Sequence, residues 1–388
     1  MRLAKRVSGI DESVTLEITS KAKRMAKEGI DVVSFAAGEP DFDTPKHIKD
    51  AAIKAINEGF TKYTPSSGLP ELREAIARKF KDDNGLDYAP SQIVVSNGAK
   101  HSLNNVLQAL CDAGDEVIIP APYWLSYPAM ASMAEAKPVF VETKASNGFK
   151  VTEKDLEAKI TKKTKCMVLN SPSNPTGGVY ELDDLKMVAR LAVKHGFFVI
   201  SDEIYEKLIY DGKSHHSIAG LGKDIYALTI TVNGVSKSYS MTGWRIGYAA
   251  GPSDVMKAIG NLQSHAASNP ASISQKAALA ALTQDQSFIG GMRAEYEKRR
   301  DYMVSRVNGM KNVSCFKPGG AFYLFCDISK TGSDSMHTAN ALLDEAKVAV
   351  IPGEPFGEPE YIRLSFATGM AAITKGMDRM EEYFKKHG

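Results

Sequence analysis

The sequence has few cysteines, and their placement argues against disulfides and against a zinc site. Only four occur among 388 residues, and no two of them form a C-x-x-C pair. Cysteines scattered through apolar runs are typical of a protein kept in a reducing compartment. We therefore predict a cytoplasmic protein that binds no metal.

The sequence also lacks an excess of charge and long apolar stretches. Its 48 lysines and arginines are nearly balanced by 46 aspartates and glutamates, which gives a formal net charge of +2. Such a balance gives no reason to expect nucleic acid or an anionic membrane surface as a partner. No window approaches the roughly 18 apolar residues of a membrane span, and no apolar signal-peptide core follows the basic residues 1–9. The sequence predicts a soluble protein that binds small molecules.

The glycine-rich signatures of nucleotide binding are missing as well. Neither G-x-G-x-x-G nor G-x-x-x-x-G-K-[ST] occurs, which counts against a dinucleotide or a P-loop nucleotide. A turn of small residues, 97–100, nevertheless follows the β-branched run 93–96 and precedes a predicted helix. Free amides at a helix start can bind an anion, although a plain tight turn has the same sequence pattern. The pattern favours a phosphate smaller than a nucleotide.

The order of predicted elements indicates an α/β fold in two parts. Short β-branched strands alternate with helices from residue 92 onward, which favours a mostly parallel sheet flanked by helices. We predict a large cofactor-binding domain over residues 47–290, and a smaller α+β domain with an N-terminal arm from residues 1–46 and 291–388. The predicted strands are 93–96, 116–119, 139–141, 166–169, 197–201, 227–232, 321–326 and 361–366, and clear helices are 100–110, 182–195 and 288–308.

Capping residues predict where single helices begin and end. Gly29 is expected to end the first helix, which starts near residue 12. Thr44 is expected to cap the next helix, with Pro45 as its first residue. These two helices belong to the N-terminal part of the chain.

Polar side chains follow the ends of predicted strands, where open α/β sheets bind ligands. Asp202 would be costly to bury unless it met a cation, although a surface carboxylate is the ordinary interpretation. Two prolines stiffen the loop that carries Asn174. Lys237 lies in a loop rich in serine and glycine, and an isolated loop lysine is usually exposed. Together with a tyrosine and a phosphate turn, however, this set suits pyridoxal phosphate.

These motifs resemble those of class I pyridoxal-phosphate aminotransferases of fold type I, in the bacterial branch of aspartate and prephenate aminotransferases. The matching segments are Ala-Gly-Glu-Pro-Asp-Phe at 37–42, Asn-Pro-Thr-Gly at 174–177, Ser-Asp-Glu-Ile-Tyr at 201–205, Ser-Lys-x-x-x-Met-Thr-Gly-Trp-Arg-Ile-Gly at 236–247 and Tyr-Ile-Arg-Leu-Ser at 361–365. The resemblance covers essentially the whole chain. It implies ping-pong transfer of an amino group between L-aspartate and 2-oxoglutarate by a homodimer, with prephenate as a further acceptor.

The resemblance also implies roles for individual residues. Lys237 corresponds to the lysine that forms a Schiff base with the cofactor and acts as the catalytic base. Asp202 corresponds to the partner of the pyridinium nitrogen, and Trp124 to the aromatic side chain that stacks on the ring. Tyr205 and Asn174 match the donors to the ring's phenolate oxygen. The implied phosphate ligands are Gly98, Ala99, Ser236, Arg245 and Tyr63, the last reaching the site of the other subunit.

The substrate-binding residues that the resemblance implies are Gly38, Trp124, Asn174, Arg363, Lys100, Ser13 and Thr15. Arg363 corresponds to the arginine whose planar fork binds the α-carboxylate. The arginine that binds the distal carboxylate in the animal and enterobacterial branch is replaced here by Ser264, and Lys100 is the natural substitute. Because a lysine is a flexible point charge, we expect a broader acceptance of dicarboxylates.

Three other functions stay open. A C–S lyase or a decarboxylase could use Lys237 and Asp202 as well, since a fold does not fix the reaction. The aminotransferase-like module of transcription regulators is not an enzyme, but it follows a DNA-binding domain, whereas here the fold begins almost at the first residue. A metal enzyme built on His215 and His216 is the weakest alternative, because adjacent histidines point apart and no third ligand is near in sequence.

Overall fold

The computed structural model describes residues 14–387. The α-helices are α1 (Val14–Lys27), α2 (Lys46–Asn57), α3 (Pro70–Asn84), α4 (Ala99–Leu110), α5 (Ser126–Met133), α6 (Glu153–Glu157), α7 (Leu182–His195), α8 (Lys223–Tyr226), α9 (Ser253–Ala266), α10 (Ser272–Thr283), α11 (Phe288–Asn308), α12 (Ser335–Asp344) and α13 (Met370–His387). The strands are β1 (Val33–Ser34), β2 (Ile93–Ser96), β3 (Glu116–Ala121), β4 (Lys137–Glu142), β5 (Thr164–Asn170), β6 (Phe198–Asp202), β7 (Thr229–Gly234), β8 (Gly247–Ala250), β9 (Ser314–Cys315), β10 (Tyr323–Asp327), β11 (Val348–Ala349), β12 (Ile351–Pro352) and β13 (Tyr361–Ser365). Between residues 14 and 387, no helix combines the length and the apolar character that crossing a bilayer demands.

The largest sheet has seven strands in the order β2-β8-β7-β6-β5-β3-β4. Its strands run parallel except β8, which is antiparallel to both of its neighbours, β2 and β7. Strands β6 and β7 are almost entirely buried, as expected for parallel strands covered on both faces by helices. The predicted α/β class with a mostly parallel sheet is confirmed.

Two apolar cores hold helices against the opposite faces of this sheet. Val199 and Ile200 are neighbours in β6, and their side chains enter different cores because strand side chains alternate between faces. Ile200 packs with Leu103 of α4 and Met256 of α9, whereas Val199 packs with Leu185 of α7. Each such buried side chain contributes roughly 1.5–3 kcal/mol of hydrophobic stabilisation. The large sheet is therefore a rigid support for the loops that leave its edges.

One edge of the large sheet collects the ends of all its parallel strands. Because β8 runs the other way, its first residue lies at this same edge. The residues at the edge are Ser96, Ala121, Glu142, Asn170, Asp202 and Gly234, which end parallel strands, and Gly247, which begins β8. The loops that carry most of the predicted site residues therefore leave the sheet side by side.

A further core joins the two ends of the chain. Antiparallel strands in the order β12-β13-β10-β9 form a four-stranded sheet, and β1 pairs in parallel with β11. Ile18 and Phe35 from the N-terminal part share this core with Leu324, Met377 and Phe384. Because this core also contains Phe149 and Tyr210 from the proposed large domain, the division into residues 47–290 and residues 1–46 with 291–388 stays a prediction.

The start of α2 differs from the prediction. The helix begins at Lys46, and its N-cap, Pro45, makes no side-chain hydrogen bond. The hydroxyl of Thr44 instead donates to the carbonyl of Ser240 at 2.6 Å and accepts from the indole of Trp244 at 3.1 Å. The predicted Thr44 cap was wrong because a tertiary contact uses the hydroxyl that would have capped the helix.

Candidate active site

Lys237 lies in the loop between β7 and β8, at the edge where the parallel strands end. Its Nζ atom donates a hydrogen bond to the carbonyl oxygen of Gly38. The same atom lies 5.7 Å from the ring centre of Tyr205 and 5.5 Å from that of Phe322. Two aromatic rings and a backbone carbonyl thus surround the amine, and no carboxylate of the described chain forms a salt bridge with it.

The surroundings of Lys237 make its amine a stronger acid than an ordinary lysine. Burial lowers its pKa to about 8; the Glu39 carboxylate opposes this shift, and the Arg363 and Arg245 guanidinium groups add to it. A lysine with this pKa has a substantial neutral fraction near pH 7.5, whereas an exposed lysine has almost none. The amine is therefore suited to act as a nucleophile or base.

Asp202 is the last residue of β6, and its side chain is only 3% exposed. Its Oδ2 atom accepts a hydrogen bond of 2.7 Å from the phenol of Tyr127, and Oδ1 accepts one of 3.3 Å from the amide of Ile204. Burial raises the pKa of Asp202 to about 6, against the lowering effect of these two hydrogen bonds. No lysine, arginine or histidine of residues 14–387 forms a salt bridge with this carboxylate, so it can receive a cation from a ligand.

Arg363 is a buried guanidinium without an acidic partner in the described structure. It lies in β13, donates 3.0 Å to Oδ1 of Asn174 and donates 3.2 Å to the carbonyl of Ala36. Its Cζ atom lies 4.4 Å from the ring centre of Tyr323 and 5.1 Å from that of Phe356. The buried Nε atom has no hydrogen-bond partner. An unpaired cation at this depth fits an anionic ligand such as a carboxylate.

Tyr205 and Asn174 both approach Arg363 from the large sheet. The Tyr205 hydroxyl lies 2.9 Å from the hydroxyl of Tyr323, whose ring packs against the guanidinium of Arg363. Since Oδ1 of Asn174 accepts from Arg363, its Nδ2 group is the donor that remains for a ligand. The structure therefore connects three predicted site residues: Arg363 donates to Asn174, and the ring of Tyr323 links Arg363 to Tyr205.

Gly98 and Arg245 pack so closely that a side chain at position 98 would displace the Arg245 guanidinium. A Cβ atom added to Gly98 would lie 2.3 Å from Nη2 of Arg245, and the φ angle of Gly98 is 85°. Arg245 itself has a left-handed φ of 55°, a conformation that costs roughly 1–2 kcal/mol for a residue other than glycine. Its fork donates to the carbonyls of Thr242 and Asn97 and contacts no carboxylate of residues 14–387.

The amide of Gly98 has a different role from the one expected for it. It donates 2.8 Å to the carbonyl of Ser96, which closes the turn after β2. Ala99 begins α4, and the first amides of a helix have no acceptor within the helix. Ala99 at the positive end of α4 and the Arg245 fork therefore form a corner that can bind an anion. Ser236, the further phosphate ligand that the resemblance implies, is buried.

Lys100 and Trp124 lie against each other on one side of the candidate site, at the edge where the parallel strands end. The Nζ atom of Lys100 lies 4.8 Å from the Trp124 ring centre, and partial burial together with Arg245 lowers the pKa of Lys100. The Trp124 ring meets Tyr127 edge to face, with centroids 5.3 Å apart. Through Tyr127, this pair of side chains connects with Asp202.

The structure does not bring every predicted residue to this edge. The Tyr63 side chain is 90% exposed in the single chain and contacts none of the other candidates. Ser13 and the side chain of Thr15 lie outside the described residues. The roles predicted for these three residues stay predictions.

The two adjacent histidines differ in their surroundings. His216 is exposed, but the fold brings His215 to Glu203 and Glu206, with one ligand-type atom of each within 4.8 Å of the others. Glu203 and Glu206 could therefore serve as further metal ligands beside His215, because folding brings them close in space. The ammonium of Lys79 forms an ion pair with Glu206, so the protein itself supplies positive charge to this cluster.

Two residues that the sequence interpretation missed complete the site. Tyr127, which donates to Asp202, lies in α5 three residues after Trp124, so its closeness in sequence to a predicted site residue could have drawn attention to it. Tyr323 lies in β10, far along the chain from Tyr205 and Asn174, and no local pattern marks it. Only the pairing of β10 with β13 brings it to Arg363.

The polar groups at the edge fit one kind of ligand. The corner at Ala99 and Arg245 suits a phosphate, the unpaired Asp202 suits a ring cation, and the Lys237 amine suits a carbonyl carbon. Pyridoxal phosphate carries these three groups. The residues present therefore fit this cofactor, and Arg363 is left for a carboxylate of a second molecule.

Comparison with known proteins agrees with this geometry. The family described as Aminotransferase class I and II matches residues 30–379. Aspartate aminotransferase of Geobacillus stearothermophilus is 49% identical, with 99% of each chain covered. A probable aspartate/prephenate aminotransferase of Aquifex aeolicus is 46% identical, with 98% of each covered. The solved aspartate aminotransferase of Thermus thermophilus with maleate superposes with a TM-score of 0.95 at 43% identity, covering 98% of this chain and 100% of that one. The chain belongs to the class I and II aminotransferase family.

Proposed function

We propose that this protein is a pyridoxal-phosphate-dependent aspartate aminotransferase, which exchanges an amino group between L-aspartate and 2-oxoglutarate to give oxaloacetate and L-glutamate. The observation that carries the proposal is the convergence of three groups at one sheet edge. These are the Lys237 amine with a pKa near 8, the Asp202 carboxylate without a cation and the Arg363 guanidinium without an acid. Each lacks a partner that a cofactor and an amino-acid substrate can provide.

The cofactor would be held at both ends. Ala99, Ser236 and Arg245 would bind its phosphate, with Gly98 giving the space that Arg245 needs. Asp202 would pair with the ring nitrogen, and the amine of Lys237 would form the covalent attachment. Bound pyridoxal phosphate supplies a carbonyl that condenses with amines and a cationic ring that accepts negative charge developing at the substrate's Cα atom.

Aromatic and amide side chains would fix the plane of the cofactor ring. Trp124 stands beside Lys100 at the edge and would stack on the ring, while Tyr205 and Asn174 would donate to its phenolate oxygen. Because Asn174 also binds Arg363, one side chain would hold both the cofactor and the group that orients the substrate. Such sharing fixes their relative position, which transfer of a proton at Cα requires.

Lys237 would then move the proton. Its free Nζ atom, with a pKa lowered by burial to about 8, would take the proton from the substrate's Cα atom. The Gly38 carbonyl, which accepts a hydrogen bond from this atom, would orient it. The rings of Tyr205 and Phe322 would exclude water from the amine.

The two carboxylates of the substrate would meet two different cations. Arg363 would bind the α-carboxylate, with the backbone at Gly38 closing over it, and Lys100 would bind the distal one, aided by Ser13 and Thr15. Support comes from the relative solved with maleate, which is itself a dicarboxylate. A lyase acting on a monocarboxylate would have no use for Lys100.

Prephenate is a second candidate acceptor. The observation that favours it is the single flexible cation at position 100, where the ammonium rests on the Trp124 ring and is not locked by a carboxylate of the described residues. A point charge tolerates distal carboxylates at different distances better than a guanidinium fork does. Some relatives carry the name aspartate/prephenate aminotransferase.

The proposal includes a homodimer. Tyr63 is 90% exposed in the single chain, and nearby α2 exposes Ile53 and Ile56 by 54% and 50%. Such side chains favour burial against a second copy, where Tyr63 would reach the other subunit's phosphate corner. Light scattering of the purified protein tests the dimer, and a monomer with full activity would contradict it.

We also place the protein in the cytoplasm. None of the four cysteines, Cys111, Cys166, Cys315 and Cys326, forms a disulfide. Free thiols persist in a reducing compartment, which supports this location. Fractionation of the source cells, with the protein followed by antibody, tests it directly.

One experiment separates the proposed reaction from its alternatives. The purified protein with pyridoxal phosphate is given aspartate and 2-oxoglutarate, and oxaloacetate and glutamate are followed at several fixed concentrations of each substrate. We expect parallel double-reciprocal plots, the pattern of a ping-pong reaction. Repeated turnover of the amino acid without any keto acid, beyond the one equivalent of product per subunit that the first half of a ping-pong reaction releases, would indicate a lyase or decarboxylase. No turnover with any amino acid would contradict the proposal.

A further inference from the structure

Behind the strand end that carries Asp202 lies a buried carboxylate with its own set of partners. Glu203 is 1% exposed. Its Oε1 atom accepts hydrogen bonds from the hydroxyls of Ser201 at 2.8 Å and Ser217 at 2.6 Å. Its Oε2 atom lies 2.9 Å from Nε2 of His215. Both oxygens of this carboxylate are therefore engaged by side chains that do not belong to the proposed cofactor site.

Glu203 and Glu206 hold the segment that presents Asp202 and Tyr205 to the site. The amide of Glu203 donates 2.9 Å to the carbonyl of Val232 in β7, and Glu206 forms an ion pair with Lys79 of α3. Two buried carboxylates thus anchor, from behind, the turn whose other side chains face the site. Movement of either anchor would move Asp202 or Tyr205.

The two carboxylates differ in the cation that balances them. Lys79 pairs with Glu206, which also accepts 2.7 Å from the amide of Asn84. In the described residues, Glu203 forms its salt bridge with His215, whose side chain is 11% exposed. A carboxylate this deep is costly unless its charge is balanced. His215 is therefore the member of this cluster whose charge can change near neutral pH.

The remaining groups around His215 favour its charged form. Burial lowers the pKa of His215, but Glu203 and Glu206 outweigh this effect and raise it above its ordinary value, against a smaller opposing effect of Lys79. The other charged or titratable groups around this cluster are Asp83 and Lys207, which pair with each other, and Tyr88, Tyr239 and Tyr248, whose pKa values burial raises. None of these groups replaces His215 as the cation beside Glu203.

We propose that His215 is a positioning residue for the proposed cofactor site: as a cation it pairs with Glu203, fixes the strand end that carries Asp202 and cancels the negative charge directly behind it. The inference rests on the proposed function, since Asp202 matters through the cofactor ring that it would hold. The Glu203 charge already acts on the Asp202 carboxyl, whose pKa it raises. Without His215, that charge would act unopposed.

The test compares four variants with the unchanged protein loaded with pyridoxal phosphate. His215→Gln keeps a hydrogen-bond donor but removes the cation, Glu203→Gln removes the anion, and the double variant removes both. His216→Gln is the matched control, because His216 is exposed and adjacent. The readout is the pH midpoint of the visible absorption of the bound cofactor, which reports the charge around it.

An uncompensated negative charge stabilises protonated neighbours, so His215→Gln should raise the midpoint by about one pH unit. The double variant should return it to the original value, and His216→Gln should leave it there. A role confined to packing would leave the midpoint of His215→Gln unchanged, or would leave the double variant as shifted as the single one. Either result overturns the proposal.

A second readout needs no cofactor. Because the pKa of His215 is raised in the folded protein, the stability it contributes is complete below about pH 6.5 and is lost as the pH rises through the folded-state pKa. The difference in melting temperature between the apo forms of the unchanged protein and His215→Gln should shrink from pH 6 to pH 9. A constant difference overturns the proposal, whereas a shrinking difference without amino transfer contradicts only the proposed function.

Discussion

The phenol of Tyr127 donates a 2.7 Å hydrogen bond to Oδ2 of Asp202, and both side chains are buried. Burial raises the pKa of Asp202 to about 6, and this hydrogen bond is the main effect that lowers it. The phenol therefore helps to keep the carboxylate ionised at neutral pH without a protein cation. It also fixes the direction in which the carboxylate faces.

Tyr127→Phe should weaken cofactor binding. Removal of the phenol leaves a buried carboxylate with one donor fewer, which costs about tenfold in the affinity for pyridoxal phosphate. Titration of the apo protein with the cofactor, followed by absorbance, measures this directly. Tyr123→Phe is the control, since Tyr123 lies just before α5 and its ring stacks on Phe140 of β4, with ring centroids 4.9 Å apart. Equal losses in both variants would contradict the role of Tyr127.

Asp202→Asn should stabilise the apo protein while it weakens cofactor binding. The folded-state pKa of about 6 lies above the ordinary value of 3.8, so the folded protein binds more protons between these pH values and loses stability as the pH rises through them. Asparagine removes this loss of stability, which is on the order of 3 kcal/mol at pH 7. Urea unfolding at pH 4.5 and pH 7 measures it. A gain that is equal at both pH values would contradict the assignment.

Lys237→Ala should abolish turnover and the visible absorption of the covalently attached cofactor. The substitution removes both the attachment and the proposed base, so kcat should fall by at least about 10³-fold. The proposed phosphate contacts at Ala99 and Arg245 would not depend on this side chain, so noncovalent binding should persist. Lys213→Ala, which changes a lysine at a distant salt bridge, is the control. Retention of near-normal rates by Lys237→Ala would refute the mechanism.

Lys100→Ala should discriminate between substrates. Loss of a charged hydrogen bond to the distal carboxylate should lower kcat/KM for aspartate and glutamate by about 10- to 100-fold. Alanine and phenylalanine have no such carboxylate, so their values should change little. Lys100→Arg keeps a cation and should retain most of the activity. Parallel losses for all four substrates would show that Lys100 acts on something other than the distal carboxylate.

Most of the fold could be predicted from the sequence, because buried parallel strands and their helices leave strong local patterns. Strand 93–96 and helices 182–195 and 288–308 coincide with β2, α7 and α11. The helix start at Thr44 could not be predicted, because its hydroxyl contacts Ser240 almost two hundred residues away. The Thr44 hydroxyl could either cap α2 or bind a distant carbonyl, and in the folded protein it binds the distant carbonyl.

The candidate site was partly legible in the sequence for the same reason. Lys237, Asp202 and Asn174 follow strands, and parallel topology brings strand ends together. Tyr323 and the Glu203–His215 pair depend on contacts between distant segments, and no short pattern marks them. The amide of Gly98, predicted as a phosphate ligand, is used by the turn itself, which a motif cannot reveal.

Strand β8, which runs against the other strands of the large sheet, limits the length of the loop before it. Residues 235–246 leave the sheet at the end of β7 and re-enter it at the start of β8, at the same edge. Lys237 lies just after the end of β7 and Arg245 just before the start of β8. The length of this loop therefore sets the distance between the Lys237 amine and the Arg245 guanidinium. Surface loops usually tolerate insertions. Here we expect every functional relative to keep the same residue count, whatever substitutions it accepts.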